Sequence, residues 1–338
     1  MLTVVLLIQL FRGFFLTFFY RANVLLRFER VVYIIKDVNY GWTFRLIHSN
    51  FASLFFLFLY LHIMRNIFYN SIKFKKLWIS GFLIYLILII IAFIGYVLVW
   101  GQISLWGRTV ITNLLRIFPF GNIIIILLWG RFSINNPLIQ FFYSLHFIFP
   151  FILLLIVVVH FYILHIKGSN NTFSVLNNNE KIKFYNYFLV KDIFTIIYLI
   201  IFLTIVIIKP IILLDRENSI KANYIISPIH IQPEWYFLYI YAVLRSIPNK
   251  VGGVLFSFII ILLIFLLIII NFNFDFKTYW VNKISNCLTV YLFILLSWIG
   301  AKPIEYPFFT IGFIFSIGFF TILLFKIVFS FFLKNILS

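Results

Sequence analysis

With 338 residues, 64% of them hydrophobic and only 11% charged, and a mean hydropathy of +1.11, the chain excludes a soluble domain. The net charge of +18 comes from Lys and Arg scattered among loops between long apolar runs. No basic stripe accompanies a soluble recognition fold, so the charge points to anionic lipid headgroups and not to nucleic acid. A single cysteine, Cys287, rules out disulfides within the chain, thiolate clusters and haem attachment through paired cysteines.

The apolar runs predict an all-α integral membrane protein with eight transmembrane helices, because runs of about 20 apolar residues are membrane spans. Span A covers 2–19; it lacks a basic leader and a small-residue cleavage site, so it reads as a retained span and not a signal peptide. A mixed loop at 20–43 carries a surface helix at 24–35. Span B runs 44–68, a lysine-rich turn follows at 70–76, and span C runs 77–100. The stretch 101–137 is broken by Gly, Asn and Pro; its apolar run at 123–129 is too short to cross, so one or two interfacial helices are expected there, with 105–118 a candidate.

Span D, 138–165, holds Pro150, and a bend is expected at that point. The Asn-rich connection at 167–191 separates a first half, 1–178, from a second half, 179–338. Span E covers 193–214. A polar loop at 215–250 with Pro228, Pro233 and Pro248 leads to spans F (251–270), G (284–299) and H (307–325). Eight crossings place both termini on one side. Basic residues lie on both sides, so the positive-inside rule does not orient the chain. Abundant Phe, Ile, Asn, Lys and Tyr fits an A/T-rich organellar genome.

Four of the six histidines form a ladder. His48 and His62 on span B are 14 residues apart, as are His146 and His160 on span D. Fourteen residues return to within about 40° of the starting direction and rise roughly 21 Å along a helix. Each span therefore presents two imidazoles on one face. Only span C lies between B and D, so those two run in the same direction and His48 is level with His146, and His62 with His160. A lone membrane histidine commonly bonds to backbone between helices; two equally spaced pairs suit the bis-imidazole ligation of two haems, one near each membrane surface.

Gly81 and Gly95 on span C repeat the 14-residue spacing, and Gly13 stands on span A. Ordinary small-residue packing accounts for such glycines, but a flat macrocycle at each level also needs a neighbouring backbone without Cβ. Arg45 and Arg65 each lie three residues from a ladder histidine. Inside a membrane they need an anion, which haem propionates supply, or a route for the side chain to reach the headgroups.

Gly-Trp-Thr-Phe-Arg-Leu-Ile-His-Ser-Asn (41–50), Trp-Gly-Gln (100–102), Trp-Gly-Arg-Thr-Val-Ile-Thr-Asn-Leu-Leu (106–115), Pro-Glu-Trp-Tyr-Phe (233–237) and Leu-Arg-Ser-Ile-Pro-Asn-Lys (244–250) carry a resemblance. Together they resemble the mitochondrial cytochrome b family, the haem and quinone core of ubiquinol–cytochrome c reductase (complex III). The likeness covers nearly the whole chain, and the Pro-Glu-Trp-Tyr motif is highly specific to that family.

The resemblance implies that spans A–D form a four-helix bundle around two non-covalent b-type haems. His48 and His146 would hold the low-potential haem near the intermembrane space, and His62 and His160 the high-potential haem near the matrix. It implies a ubiquinol-oxidising outer site with Glu234, Tyr241 and Gly107, and a ubiquinone-reducing inner site with His165, Ser169, Lys191 and Asp192. The chemistry suits these types. Quinol oxidation releases protons, and a loop carboxylate such as Glu234 can accept one. Implied partners are the Rieske iron–sulfur subunit, the cytochrome c1 subunit, other complex III subunits, a second copy in a homodimeric complex, and lipid such as cardiolipin, all in the mitochondrial inner membrane.

The chain departs from the family pattern in places. The first glycine expected in span A is missing, Arg108 and Val99 replace the usual Ala and Pro, Phe120 replaces a Tyr, and Lys167 is unusual after His165. Two other classes also fit paired membrane histidines: a transmembrane ferric or oxygen reductase, for which no glycine-rich dinucleotide motif is present, and a proton-relaying transporter without haem.

Overall fold

The computed structural model describes residues 1–130, 136–169, 182–269 and 276–337. Among these the chain is all-helical, with no β-strand and one isolated bridge between Gly101 and Lys221. The α-helices are α1 (Leu2–Thr17), α2 (Arg27–Lys36), α3 (Gly41–Phe68), α4 (Lys75–Val97), α5 (Gln102–Leu114), α6 (Gly121–Trp129), α7 (Asn136–Lys167), α8 (Leu189–Ile208), α9 (Leu238–Ser246), α10 (Lys250–Leu266), α11 (Phe276–Gly300) and α12 (Phe308–Leu337).

Eight apolar helices stand where eight spans are expected. Six of them, α3, α4, α7, α8, α11 and α12, are long and apolar enough to cross a membrane. The other two, α1 and α10, have 16 and 17 residues. At 1.5 Å per residue they reach roughly 24–26 Å, against a hydrocarbon core of about 30 Å.

Several boundaries differ from expectation for identifiable reasons. Span E was expected to reach 214, but α8 ends at Ile208. Lys209 leaves the helical region (φ −130°, ψ 72°), as the residue before a proline tends to do, and Pro210 follows. Spans G and H are longer than their apolar runs, because polar residues ride within α11 and α12 on internal partners. Lys283 donates to the Phe68 carbonyl at 2.9 Å, Asn286 to the Ile67 carbonyl at 3.2 Å, and Lys326 to Asn286 at 2.9 Å. The interfacial stretch forms two helices, α5 and α6. Helix α7 continues through Pro150. The expected boundary at 178–179 lies outside the described residues.

The chain divides into two compact units. The first comprises Met1–Leu59, Leu86–Leu155 and Asn177–Ile231. Its core gathers Ile94, Val97, Leu98, Trp100, Leu105, Ile125, Leu138, Ile139 and Phe142, from the end of α4, from α5 and α6, and from the start of α7. The segment after α8 clamps this core through the backbone. Gln102 N–H donates to the Ile220 carbonyl (3.0 Å) and Ala222 N–H to the Trp100 carbonyl (3.1 Å), while the Asn218 side chain accepts from Ser104 N–H (3.0 Å). Only glycine fits at 101, where a Cβ would run into the Asn218 carbonyl.

The second unit comprises Tyr60–Tyr85, Ile156–Leu176 and Gln232–Ser338. Short helix α9 is its centre, packed by α10, α11 and α12. Gly253 and Gly300 let helix backbones approach closely: a Cβ at either would strike a carbonyl of α9, that of Leu244 or Leu238. Asn249 caps α10, accepting from the Val251 and Gly252 amides at 2.9 and 3.4 Å. Asn249→Ala is expected to cost about 1 kcal/mol, as loss of a helix cap does. The check is a modestly lowered thermal midpoint in detergent with an unchanged far-ultraviolet spectrum.

Candidate functional site

Helices α3 and α7 bring His48 and His146 together within the first unit, with ring centres 6.3 Å apart and planes at 90°. A metal–imidazole bond of about 2.0 Å on each side, plus the half-width of each ring, spans roughly that separation. The His146 Nδ1–H donates to the Ile91 carbonyl at 3.0 Å, which orients the ring and leaves Nε2 as the free nitrogen. His48 Nδ1 is buried without a hydrogen-bond partner, and Gln9 donates to the His48 carbonyl at 2.9 Å.

Each imidazole in this unit faces a glycine on a neighbouring helix. A Cβ on Gly13 would come within 3.0 Å of His48 Cε1, and one on Gly95 would overlap His146 Cε1 outright. Gly95→Ala is therefore expected to displace His146 and abolish metal-dependent absorption at this pair. An optical spectrum of the purified variant checks it; an undisturbed spectrum would mean that the glycine only packs helices.

In the second unit, Ser80 Oγ lies 2.8 Å from His160 Nδ1, and a Cβ on Gly81 would stand 3.3 Å from His160 Cε1. His62 Nε2 is 3.2 Å from Asn66 Nδ2. Among the described residues no group of three or more His, Cys, Asp or Glu gathers as a metal site. Two nitrogens from a histidine pair would leave most of a metal's coordination sphere open, which a tetradentate macrocycle would fill.

The Pro-Glu-Trp-Tyr loop enters α9 through a 3-10 turn at Trp235–Phe237, with Glu234 at its start, its carbonyl accepting from Phe237 N–H at 2.8 Å. Three tyrosines that were not anticipated from the sequence secure this turn. The Tyr60 hydroxyl donates to the Tyr236 carbonyl, and the Tyr85 and Tyr239 hydroxyls pair with one another. All three are at least nine-tenths buried. They come from α3, α4 and α9, and no local spacing joins residues so far apart in sequence. Tyr241 lies further along α9, with the Arg245 guanidinium 5.2 Å from its ring centre.

The remaining candidates are distributed between the units. His165 and Ser169 belong to the second, Lys191 and Asp192 to the first, and all four are exposed. Lys191 lies over the Tyr187 ring at 4.3 Å, and Asp192 stands in the first turn of α8. Gly107 belongs to the first unit; a Cβ there would meet nothing within 4 Å. Arg45 is partly buried on α3, and Arg65 is exposed near the end of that helix, over the Tyr69 ring.

A second feature missed from the sequence is a pair of fully buried arginines in the first unit. Arg27 and Arg108 both show 0% exposure, and their guanidinium carbons lie 2.8 and 4.0 Å from the centre of the Trp100 ring. All three side-chain nitrogens of each lack a hydrogen-bond partner. The Tyr224 hydroxyl approaches Arg108 and favours its charged form without reaching hydrogen-bond geometry. Cation–π attraction at a desolvated site supplies about 2 kcal/mol or somewhat more. Burying each ion costs several kcal/mol, so the indole alone does not balance the pair.

Residues 1–168 match the family model described as Cytochrome b/b6/petB, and residues 221–320 match Cytochrome b(C-terminal)/b6/petD. A curated protein of Bugula neritina named Cytochrome b is 45% identical over 321 residues, 94% of this chain and 87% of that protein. A solved chain described as Hyperthermophilic respiratory Complex III superposes with a TM-score of 0.91 at 29% identity, covering 98% of this chain and 90% of that one.

Proposed function

The chain belongs to the cytochrome b/b6 family, and from that premise we propose that it is the transmembrane electron-transfer subunit of a respiratory complex III. In this reading it oxidises ubiquinol at an outer (Qo) site, reduces ubiquinone at an inner (Qi) site and thereby couples electron flow to proton translocation. The observation that carries the reading is the His48–His146 pair, spaced at 6.3 Å for one metal and each backed by glycine.

Four residues would hold two b-type haems without covalent attachment, His48 with His146 and His62 with His160. Such bis-imidazole haems, when bound, pass single electrons and leave no axial position for oxygen. The Ile91 carbonyl and Ser80 engage Nδ1 of His146 and His160, which would leave Nε2 of each ring available to a metal. Arg45 and Arg65 offer charge to propionates. Ser80→Ala is expected to weaken haem retention at the His62–His160 pair by about 10–100-fold, the usual cost of losing an outer partner of a metal ligand. Haem loss during stepwise detergent washing measures it, and retention equal to that of the parent chain would contradict it.

At the outer site Glu234 would accept a proton from ubiquinol, with Tyr241 of the same unit further along α9. At the inner site His165 would donate a proton to ubiquinone, with Ser169 in the same unit beside it in sequence. The complex III neighbour supports assembly with other complex III subunits; in this reading they include a Rieske iron–sulfur and a cytochrome c1 subunit, in a homodimeric complex with lipid such as cardiolipin in the mitochondrial inner membrane. Quinol-dependent reduction of cytochrome c by the assembled complex tests the reading. Turnover that depends on this chain is expected, and a complex that retains both haems yet ignores quinol would contradict it.

A further inference from the structure

Helix α1 carries a positive charge that no carboxylate among the described residues neutralises. Arg12 lies five residues before the end of α1, roughly 7.5 Å from it along the axis. It joins no salt bridge among the described residues, and its Nη1 is buried without a hydrogen-bond partner, whereas Nε and Nη2 are not closed off in that way. Its guanidinium carbon stands 4.9 Å from the centre of the Phe44 ring, which attracts the charge but offers no oxygen to the N–H groups. A cation in a membrane segment calls for an anion or a path to the headgroups.

The side chain borders open space. A cavity of about 330 Å³ within the first unit is lined by Phe11 and Arg12 of α1, Ile47 and Phe51 of α3, and Leu199 and Leu203 of α8. Arg12 is the one polar residue in its wall. Phe51 and Phe202, with ring centres 5.5 Å apart, seat α8 against α3. The volume falls within the range of ligand pockets, about 300–1,000 Å³. Leu7, Phe11 and Ile200 at the rim are exposed, so this is an open cleft and not a sealed void.

The cleft is separate from the histidine pair. Gly13, the residue after Arg12, abuts the His48 ring, and successive helix residues point about 100° apart. Ile47 likewise stands one residue from His48 on α3. The cleft is also polarised by depth. The guanidinium sits beside Phe44, three residues from the start of α3, while Phe51 lies seven residues further in, roughly 10 Å along the axis. The cationic end is thus near the end of the span, and the apolar wall runs toward its middle. A molecule with an anionic head and a hydrocarbon chain matches that order.

We propose that this cleft binds one anionic phospholipid, its phosphate paired with Arg12 and one acyl chain laid against Phe11, Phe51 and Leu203. The planar guanidinium fork suits phosphate oxygens, and basic pockets between membrane helices are seats for such headgroups. A quinone would fill the apolar part and leave the charge uncompensated. A free phosphate ion would meet the charge and leave the apolar wall bare. The proposal rests on the membrane reading of the apolar helices and does not require haem ligation.

The test is photolabelling of the intact complex in phosphatidylcholine nanodiscs that contain a small fraction of phosphatidylglycerol with a diazirine in one acyl chain. Peptide mapping should find label on the segments holding Phe11 and Leu203. Unlabelled phosphatidylglycerol is expected to displace it, while added phosphatidylcholine and ubiquinone leave it in place. Arg12→Gln is expected to lower the labelling about tenfold, the effect of losing one charge-assisted hydrogen-bonded contact, and Arg12→Lys to retain most of it. Equal labelling by a phosphatidylcholine probe, or labelling undiminished in the glutamine variant, would overturn the proposal and leave only lipid surrounding the helices. Displacement by ubiquinone would overturn it in favour of a neutral occupant. If the glutamine variant does not assemble, the competition in the parent complex decides alone. The haem spectrum of the same samples reports on the functional reading independently.

Discussion

His146→Ala is expected to remove one of two haem signals from the reduced-minus-oxidised spectrum and to stop quinol-driven cytochrome c reduction. The loss should exceed the roughly 10–100-fold that follows removal of a mere supporting partner, because a direct axial ligand is gone. The ring stands 6.3 Å from that of His48, with its Nδ1 engaged by Ile91, so no other described side chain is poised to substitute. The signal belonging to His62 and His160 should survive, since Ser80 and Gly81 hold His160 within the other unit. A variant with both signals intact would show that His146 merely packs between helices.

Glu234→Gln is expected to leave both haem signals untouched and to slow quinol oxidation by about 10²–10⁴-fold, the typical contribution of a positioned proton acceptor. The substitution preserves shape and removes the basic carboxylate. The turn that carries it is held by backbone and tyrosine contacts, from Phe237 N–H to the Glu234 carbonyl and from Tyr60 to the Tyr236 carbonyl, none of which uses the Glu234 carboxylate. Stopped-flow reduction of the haems by quinol separates this effect from any defect in later electron transfer. Turnover equal to that of the parent would remove Glu234 from the proton path.

How far the sequence reached depended on whether the signal was local. The 14-residue histidine interval is read through the helical period alone, and its partner interval in Gly81 and Gly95 is equally local. Of the ladder residues, His48 and His146 stand with ring centres 6.3 Å apart. Span E was overextended because apolar content continues past Pro210, where the backbone turns out of the helix. Spans G and H were cut short because Lys283 and Lys326 look like loop residues until their partners on α3 and α11 are visible.

Helix α9 was read as loop because it is short and lies between prolines 233 and 248. Its helical face, with Tyr239, Ala242 and Val243, becomes legible only against the helices that bury it. The same holds for Arg27 and Arg108. Arg108 stood out as a departure, but its pairing with a residue of α2 over Trp100 is a tertiary fact.

The most direct measurement is the haem content of the purified chain, by alkaline pyridine assay together with a reduced-minus-oxidised spectrum. Two b-type haems per chain with resolvable reduction steps are the expected result. A purified, folded chain without Soret absorption would contradict the ligation of iron by the four histidines, whatever the resemblance of its loops.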